Sequence, residues 1–347
     1  MADLVNGRSR SAVAAVRALA CGGYTPVVTK SGSGSPAAAS RDCAGVVDVP
    51  AGSGAGYVAA VELALARSSY VDVLPASDGA LLALGLPGAA LVDKSALPAQ
   101  LSAVGLETPE SAYFSDGASL SAASKQLEYP LVVKPVLKSD PAEQARRIDG
   151  PSALEELART LSGPAIVQSY LTGRLRAVAG VVHEGHFLAL LHQSYFRTWP
   201  ADCGVASSAI TTVADLDLEE RLGELLQAHT GVFQVQPIGE RVIDVNPRVY
   251  GSLPLAVAAG ANLPAIACAA RQGRVGSLVR GRPGVRYRWL EGDLRSVWHG
   301  MRRDGLSKRA AAGALRPRSG TAHSIESIRD PAPLLTRVAN VARQALS

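Results

Sequence analysis

Cysteine is scarce in this chain. Cys21, Cys43, Cys203 and Cys268 are the only four, and none forms a C-x-x-C pair. That spacing suits neither a zinc site nor a disulfide framework, so they read as free thiols that pack as small hydrophobes. Aromatic residues make up 5% of the 347, and no basic run has aromatics interleaved with it. The footprint of a nucleic-acid partner is therefore missing. No segment is apolar for long enough to cross a bilayer. The first twenty residues, MADLVNGRSRSAVAAVRALA, scatter arginines through a helical pattern. A signal peptide needs an uninterrupted apolar stretch, so the expectation is a cytoplasmic protein with no membrane partner. His183, His186 and His192 flank one hairpin, but alternation along strands does not gather them into a metal site. No internal repeat is found.

What is present is the composition of a soluble globular protein, 47% hydrophobic and 19% charged. A length of 347 residues exceeds one compact core and implies two or three subdomains. The net charge of +5 is mild and suits small anions such as nucleotide phosphates. Residues 1–92 alternate short apolar runs with helical periodicity. Strands are expected at 2–5, 25–29, 46–49 and 70–74, around helices that include Val13, Val16 and Leu19. This reads as a small parallel-sheet domain. Further along, strands are expected at 131–134 and 165–168, and a polar loop at 138–150. Hairpins are expected across Glu184-Gly185 and Gly239-Glu240. A last helix carries an apolar stripe of Leu334, Leu335, Val338 and Val341.

Residues 242–252, VIDVNPRVYGS, carry the strongest chemical signal. On a strand, Asp244 and Asn246 point to one side, and across the hairpin Gln234 and Gln236 share a face. Oxygen-bearing side chains on facing strands suit Mg²⁺, which takes few carboxylates and often shares its shell with phosphates. Arg248 follows on the face of Asn246, where it can neutralise a transferring phosphoryl group. Lys134 ends the apolar strand LVVKP, and a lysine there needs an anionic partner because its charge is costly to desolvate. In AIVQSYL an apolar strand runs into a bend whose free backbone groups can read a base. Arg197, in the aromatic setting YFRTWP, is a candidate for a substrate carboxylate.

The order Asp93-Lys94, Lys134, Gln168 to Leu171, Gln236, Asp244-x-Asn246-Pro247-Arg248 resembles the ATP-grasp superfamily. The branch it resembles holds biotin carboxylase, the carbamoyl-phosphate synthetase large chain and the ATP-grasp carboligases. The run NPRVYGSLPLAVAAGANLP, and FRTWP with Gly204, are similar to the carboligase group. The resemblance implies an α/β fold: an N-terminal parallel-sheet domain (1–92), a small α+β lobe (93–164) and a large α+β lobe with a C-terminal extension (165–347), the lobes clasping ATP. It implies that Lys94 and Lys134 bind phosphates, and that Gln168, Ser169, Tyr170 and Leu171 surround adenine. Gln236, Asp244 and Asn246 would hold Mg²⁺, Arg248 would steady an acyl-phosphate, and Arg197 and Ser252 would meet substrate.

The sequence departs from the family pattern in three ways. Asp244 stands where a glutamate is usual, Gln236 is a neutral ligand with Gln234 as an alternative, and no glycine-rich phosphate loop follows Lys134. Lys138, Arg146 or Arg147 could close over ATP instead. The implied activity is a carboxylate–amine ligase acting on small molecules, and the resemblance leaves room for a homodimer. Other ATP-grasp chemistry, a carboxylase or a phosphotransferase, stays open, as does a non-catalytic nucleotide-binding regulator.

Overall fold

The structure, a computed structural model, describes residues 10–32, 34–137 and 144–346. The strand expected at 2–5 and Lys138 lie outside the described residues. The helix Arg10–Cys21 is rich in alanine and valine, and eight of its twelve residues are buried. Small side chains let it pack against the helices Leu253–Ala258 and Leu263–Arg271. A Cβ on Gly22 would stand 2.5 Å from that of Ala265. The helix closes in a Schellman motif. Tyr24 N–H donates to Leu19 C=O, Gly23 N–H donates to Ala20 C=O, and Gly23 adopts φ +81°.

Strands β1 (Val27–Lys30) and β2 (Gly45–Asp48) pair in parallel beside this helix, as the alternating pattern predicts. Residues 70–74 do not form the expected strand. The Asp72 carboxylate accepts from the N–H of Val73 at 2.9 Å, a local bond that competes with sheet pairing.

The second sheet holds β3 (Ser111–Phe114), β4 (Leu131–Pro135), β5 (Arg146–Ile148) and β6 (Ala165–Ser169). Its order is β3-β6-β4-β5, all antiparallel. Leu131, Val133, Ala165 and Val167 bury one face under the helices Gly117–Ala123 and Pro151–Ala158. Two expectations are corrected here. Part of the polar loop at 138–150 is strand β5, with Arg146 and Arg147 exposed and only Ile148 buried, too little alternation to read. β6 belongs to this sheet, so a boundary between 164 and 165 would cut the sheet in two.

The third sheet holds β7 (Arg176–His183), β8 (His186–Trp199), β9 (Val205–Thr212), β10 (Gly231–Ile238), β11 (Arg241–Asn246), β12 (Val279–Arg280), β13 (Arg286–Arg288) and β14 (Ala322–His323). The order is β11-β10-β7-β8-β9-β13-β14, with β12 paired to β8. Both expected hairpins form. Glu184 and Gly185 turn at φ 49° and 77°, and Gly239 at 59°. β9 is buried on both faces and built of small residues, so it lacks the alternation that marks a strand. The last helix, Ala332–Leu346, buries little of its expected stripe. Leu334 packs on the core, but Leu335, Val338 and Val341 are exposed. The helix is tied down instead by Arg337 to Glu291 at 2.7 Å and Asn340 to Gly34 C=O at 2.6 Å. No helix among the described residues is long and apolar enough to cross a membrane.

Candidate active site

The two larger sheets face each other across a cavity of about 680 Å³. Lys94, Lys134, Gln168 to Leu171, Arg197, Gln236, Asp244, Asn246, Arg248 and Ser252 all line it, whereas Arg146 and Arg147 do not. They come from both lobes. β4 supplies Lys134, the end of β6 supplies Gln168 and Ser169, and the β10–β11 hairpin supplies Gln236, Asp244 and Asn246.

Lys134 is buried, and its Nζ donates to Ile243 C=O on β11 at 2.8 Å. One lysine thus spans the gap between the sheets. Burial pulls its pKa below the ordinary lysine value, with Asp244 opposing and Lys94 reinforcing the drop. No carboxylate lies within ion-pair distance of Lys134 among the described residues. Lys94 lies beside it, its backbone N–H bonded to Val136 C=O at 3.2 Å.

Past β6 the chain bends. Tyr170 N–H still donates to Pro130 C=O at 3.2 Å, but the peptide N–H and C=O of Leu171 make no hydrogen bond among the described residues. A donor and an acceptor on one residue are thus free at the cavity wall. Arg147 stacks over Tyr170 at 4.4 Å and bonds Asp149 at 2.8 Å. Gln168 donates to Ser111 Oγ at 3.1 Å, so its amide nitrogen is already engaged.

On the hairpin, Gln236 lies directly opposite Asp244, and Gln234 opposite Asn246. Gln236 donates its amide N–H to Tyr195 Oη at 3.2 Å, which leaves Oε1 as an acceptor. Asn246 sits between Asp244 and Arg248. Its Nδ2 donates to Asp244 at 3.1 Å, and its Oδ1 accepts from Arg248 Nη2 at 2.7 Å. It links the carboxylate to the arginine, and one lone pair of its oxygen is engaged. Gln234 donates to Ser252 Oγ at 3.4 Å, and Ser252 donates to Gln193 at 3.4 Å, which ties the alternative ligand into a separate network.

Arg248 is withdrawn from solvent and ion-paired through Nε to Asp78. Burial disfavours its charge, but Asp78 and then Asp244 outweigh that and raise its pKa. Asp78 opens a short helix, Asp78–Ala83, in the N-terminal domain, capped by Ser77. Nothing in the local sequence separates it from any other acid in a first helical turn. Arg197 lines the cavity and also grips an acid of the protein. Its Nε and Nη2 hold the fully buried Asp293 at 2.6 and 3.1 Å, and Arg288 joins the same carboxylate at 3.0 Å. Its fork is engaged inside the protein, on a carboxylate that it shares with Arg288. Gly204 stays a glycine because a Cβ would stand 2.0 Å from the carbonyl carbon of Trp199.

No protein-family model matches this chain, and no curated protein matches it. Solved structures do. An L-amino acid ligase from Bacillus licheniformis aligns over 76% of this chain and 72% of its own, with 19% identity and a TM-score of 0.54. An N5-carboxyaminoimidazole synthetase from Staphylococcus aureus, complexed with ADP, aligns over 78% and 77%, with 14% identity and a TM-score of 0.60. The biotin carboxylase domain of a 2-oxoglutarate carboxylase from Hydrogenobacter thermophilus, in complex with MgADP, aligns over 81% and 72%, with 12% identity and a TM-score of 0.56. These are ATP-grasp structures, and with the three sheets and the cavity between the lobes the chain has the ATP-grasp fold.

Proposed function

We propose that the protein is an ATP- and Mg²⁺-dependent carboxylate–amine ligase that joins two small molecules through an amide bond. The observation that carries this reading is the cavity between the sheets. It gathers a buried lysine with no carboxylate in ion-pair distance among the described residues, a backbone donor–acceptor pair at Leu171 with no hydrogen bond among them, and an arginine held on an acid. The first two suit phosphate and adenine, and the third suits a transferring phosphoryl group. The L-amino acid ligase among the similar structures is consistent with this, although at 19% identity it speaks for the fold alone.

In this reading Leu171 reads the adenine edge, and Lys94 and Lys134 hold the phosphates. A substrate carboxylate oxygen attacks the γ-phosphorus. A P–O bond forms, the bond to the β-phosphate oxygen breaks, and ADP leaves. The amine nitrogen then attacks the acyl carbon, phosphate departs, and the nitrogen loses a proton. Arg248, oriented by Asp78 and Asn246, offsets the negative charge on the moving phosphoryl group. The donor set fits a hard cation through two oxygens, the Asp244 carboxylate and the free Oε1 of Gln236. Mg²⁺ bound there would neutralise phosphate charge. Asn246 is better placed as the link to Arg248. The three-part division is retained, with the lobe boundary moved beyond Ser169.

A single carboxylate in the cation set favours a second reading, a nucleotide-binding regulator without turnover. Incubation with ATP, Mg²⁺ and mixtures of carboxylates and amines separates the two by ADP release, and mass spectrometry of the products identifies the bond formed. Asp244→Ala and Arg248→Ala are each expected to lower ADP release by about a hundredfold or more while the circular dichroism spectrum is unchanged. Full activity in both variants would sink the site assignment.

A further inference from the structure

Four arginines line the cavity, and two of them grip a carboxylate while a third is exposed. Arg197 is spent on Asp293, Arg248 on Asp78, and Arg174 is solvent-exposed beside Phe196. Arg10 is the exception. It is withdrawn from bulk solvent at the start of the first helix, and no carboxylate lies within ion-pair distance among the described residues. Its guanidinium is nevertheless fixed in place. It stacks 3.7 Å from the centroid of the Trp289 ring, and Nη1 donates to Tyr287 Oη at 3.1 Å and to Ser324 Oγ at 3.5 Å. Nε and Nη2 have no acceptor among the described residues. Those two nitrogens form the fork that Arg197 uses to grip both oxygens of Asp293.

The surroundings of that open fork are built to leave room. Gly251 follows the Asn246-Pro247-Arg248 run, and a Cβ there would stand 3.1 Å from Arg10 Nη2. Tyr287 Oη donates to the carbonyl of the same glycine at 3.0 Å. Tyr250, the residue before that glycine, lines the cavity and is 3% exposed, and its hydroxyl has no hydrogen-bond partner among the described residues. A buried hydroxyl and a charged fork without acceptors are both costly unless a ligand satisfies them. Burial pulls the Arg10 pKa down and Arg337 reinforces the drop, while Tyr287 opposes it, as do Glu326 and Glu291 from beyond ion-pair distance.

We propose that Arg10, with the hydroxyl of Tyr250, anchors an anionic group, carboxylate or phosphate, that a substrate carries in addition to the group that reacts. A separate reacting group on the substrate rests on the ligase reading, whereas anion binding by Arg10 does not. The substrate class is then an acid with a second acidic group, or an amine that carries one, such as an amino acid. Simple monoacids joined to simple amines are disfavoured, because they leave the fork empty. Arg10 comes from the N-terminal domain, so that domain takes part in substrate choice.

The test uses the full chain without nucleotide. Thermal melting and calorimetric titration are run with L-alanine, L-aspartate, L-glutamate, their fully amidated forms, O-phospho-L-serine and inorganic phosphate. At least one acid is expected to bind and raise the melting temperature, while its amide does not. The carboxylate and phosphate arms tell the two anions apart. Arg10→Met is expected to weaken that binding by roughly tenfold to a hundredfold, and Arg10→Lys by less, with ADP affinity unchanged in both. If Arg10→Met fails to fold, Gly251→Ala takes its place, since it keeps the charge and crowds Nη2. Binding of every probe to neither form, or equal binding to wild type and variant, overturns the proposal. Anion binding that depends on Arg10 without any ADP release would sink the ligase reading and leave this one standing.

Discussion

At the scale of single residues, the site is governed by which charges are matched and which are left open. Arg248 and Arg197 lie on the same cavity, and each grips a different buried acid, Asp293 being shared with Arg288. Asp78 holds Arg248 from another domain, so it acts as a positioning residue. Asp78→Asn keeps the shape and removes the charge. It is expected to lower kcat for ADP release by about tenfold to a hundredfold while KM for ATP changes little, because the phosphate contacts proposed for Lys134 are untouched. Equal loss in kcat and in ATP affinity would point to a collapsed cavity instead. The Asp244 and Gln236 pairing was legible from strand alternation alone. Asn246 was not, because its amide orientation depends on Arg248, two residues on, folding back to bond it.

At the scale of elements, close packing in the small lobe depends on glycine where two helices meet. Gly117 starts the helix Gly117–Ala123, which Asp116 caps by accepting from Ser119 N–H at 2.8 Å. A Cβ on Gly117 would stand 2.0 Å from Ala158 C=O. Gly117→Ala must push the two helices apart and is expected to destabilise the protein by about 1–3 kcal/mol. Melting reads the loss, and activity per folded molecule should survive. The hairpins were legible because turn and alternation are both local. β5 and β9 were not, because one carries a single buried residue and the other is covered on both faces.

At the scale of the molecule, Lys134 joins the lobes, and its titration couples the cavity to pH. Burial lowers its folded pKa below the ordinary lysine value. Its charged form therefore costs stability below that folded pKa, and the cost is relieved as pH rises towards the unfolded value. Nucleotide binding runs the other way. Phosphate favours the charged lysine, so affinity is lost as pH rises through the lowered pKa. Titration of ADP from neutral to alkaline pH should show affinity falling before the ordinary lysine range. Lys134→Met should bind weakly at neutral pH and show little of this dependence. A flat profile in the wild type would contradict the role of Lys134.

The sequence by itself determined the parts that are local in the chain. Alternation put Gln236, Asp244 and Lys134 on strands, turn chemistry closed the two hairpins, and an apolar run fixed the bend at Leu171. Only the tertiary structure decided the partnerships. Arg10 meets Tyr287 and Ser324 across more than 270 residues of sequence, Asp78 meets Arg248 across 170, and Arg197 meets Asp293 across 96. A charge is spent or free according to what packs against it, and packing brings together residues whose distance along the chain carries no signal. For that reason the sequence singles out Arg197 by its aromatic setting, and only the fold shows that it grips Asp293 while Arg10 stacks on Trp289.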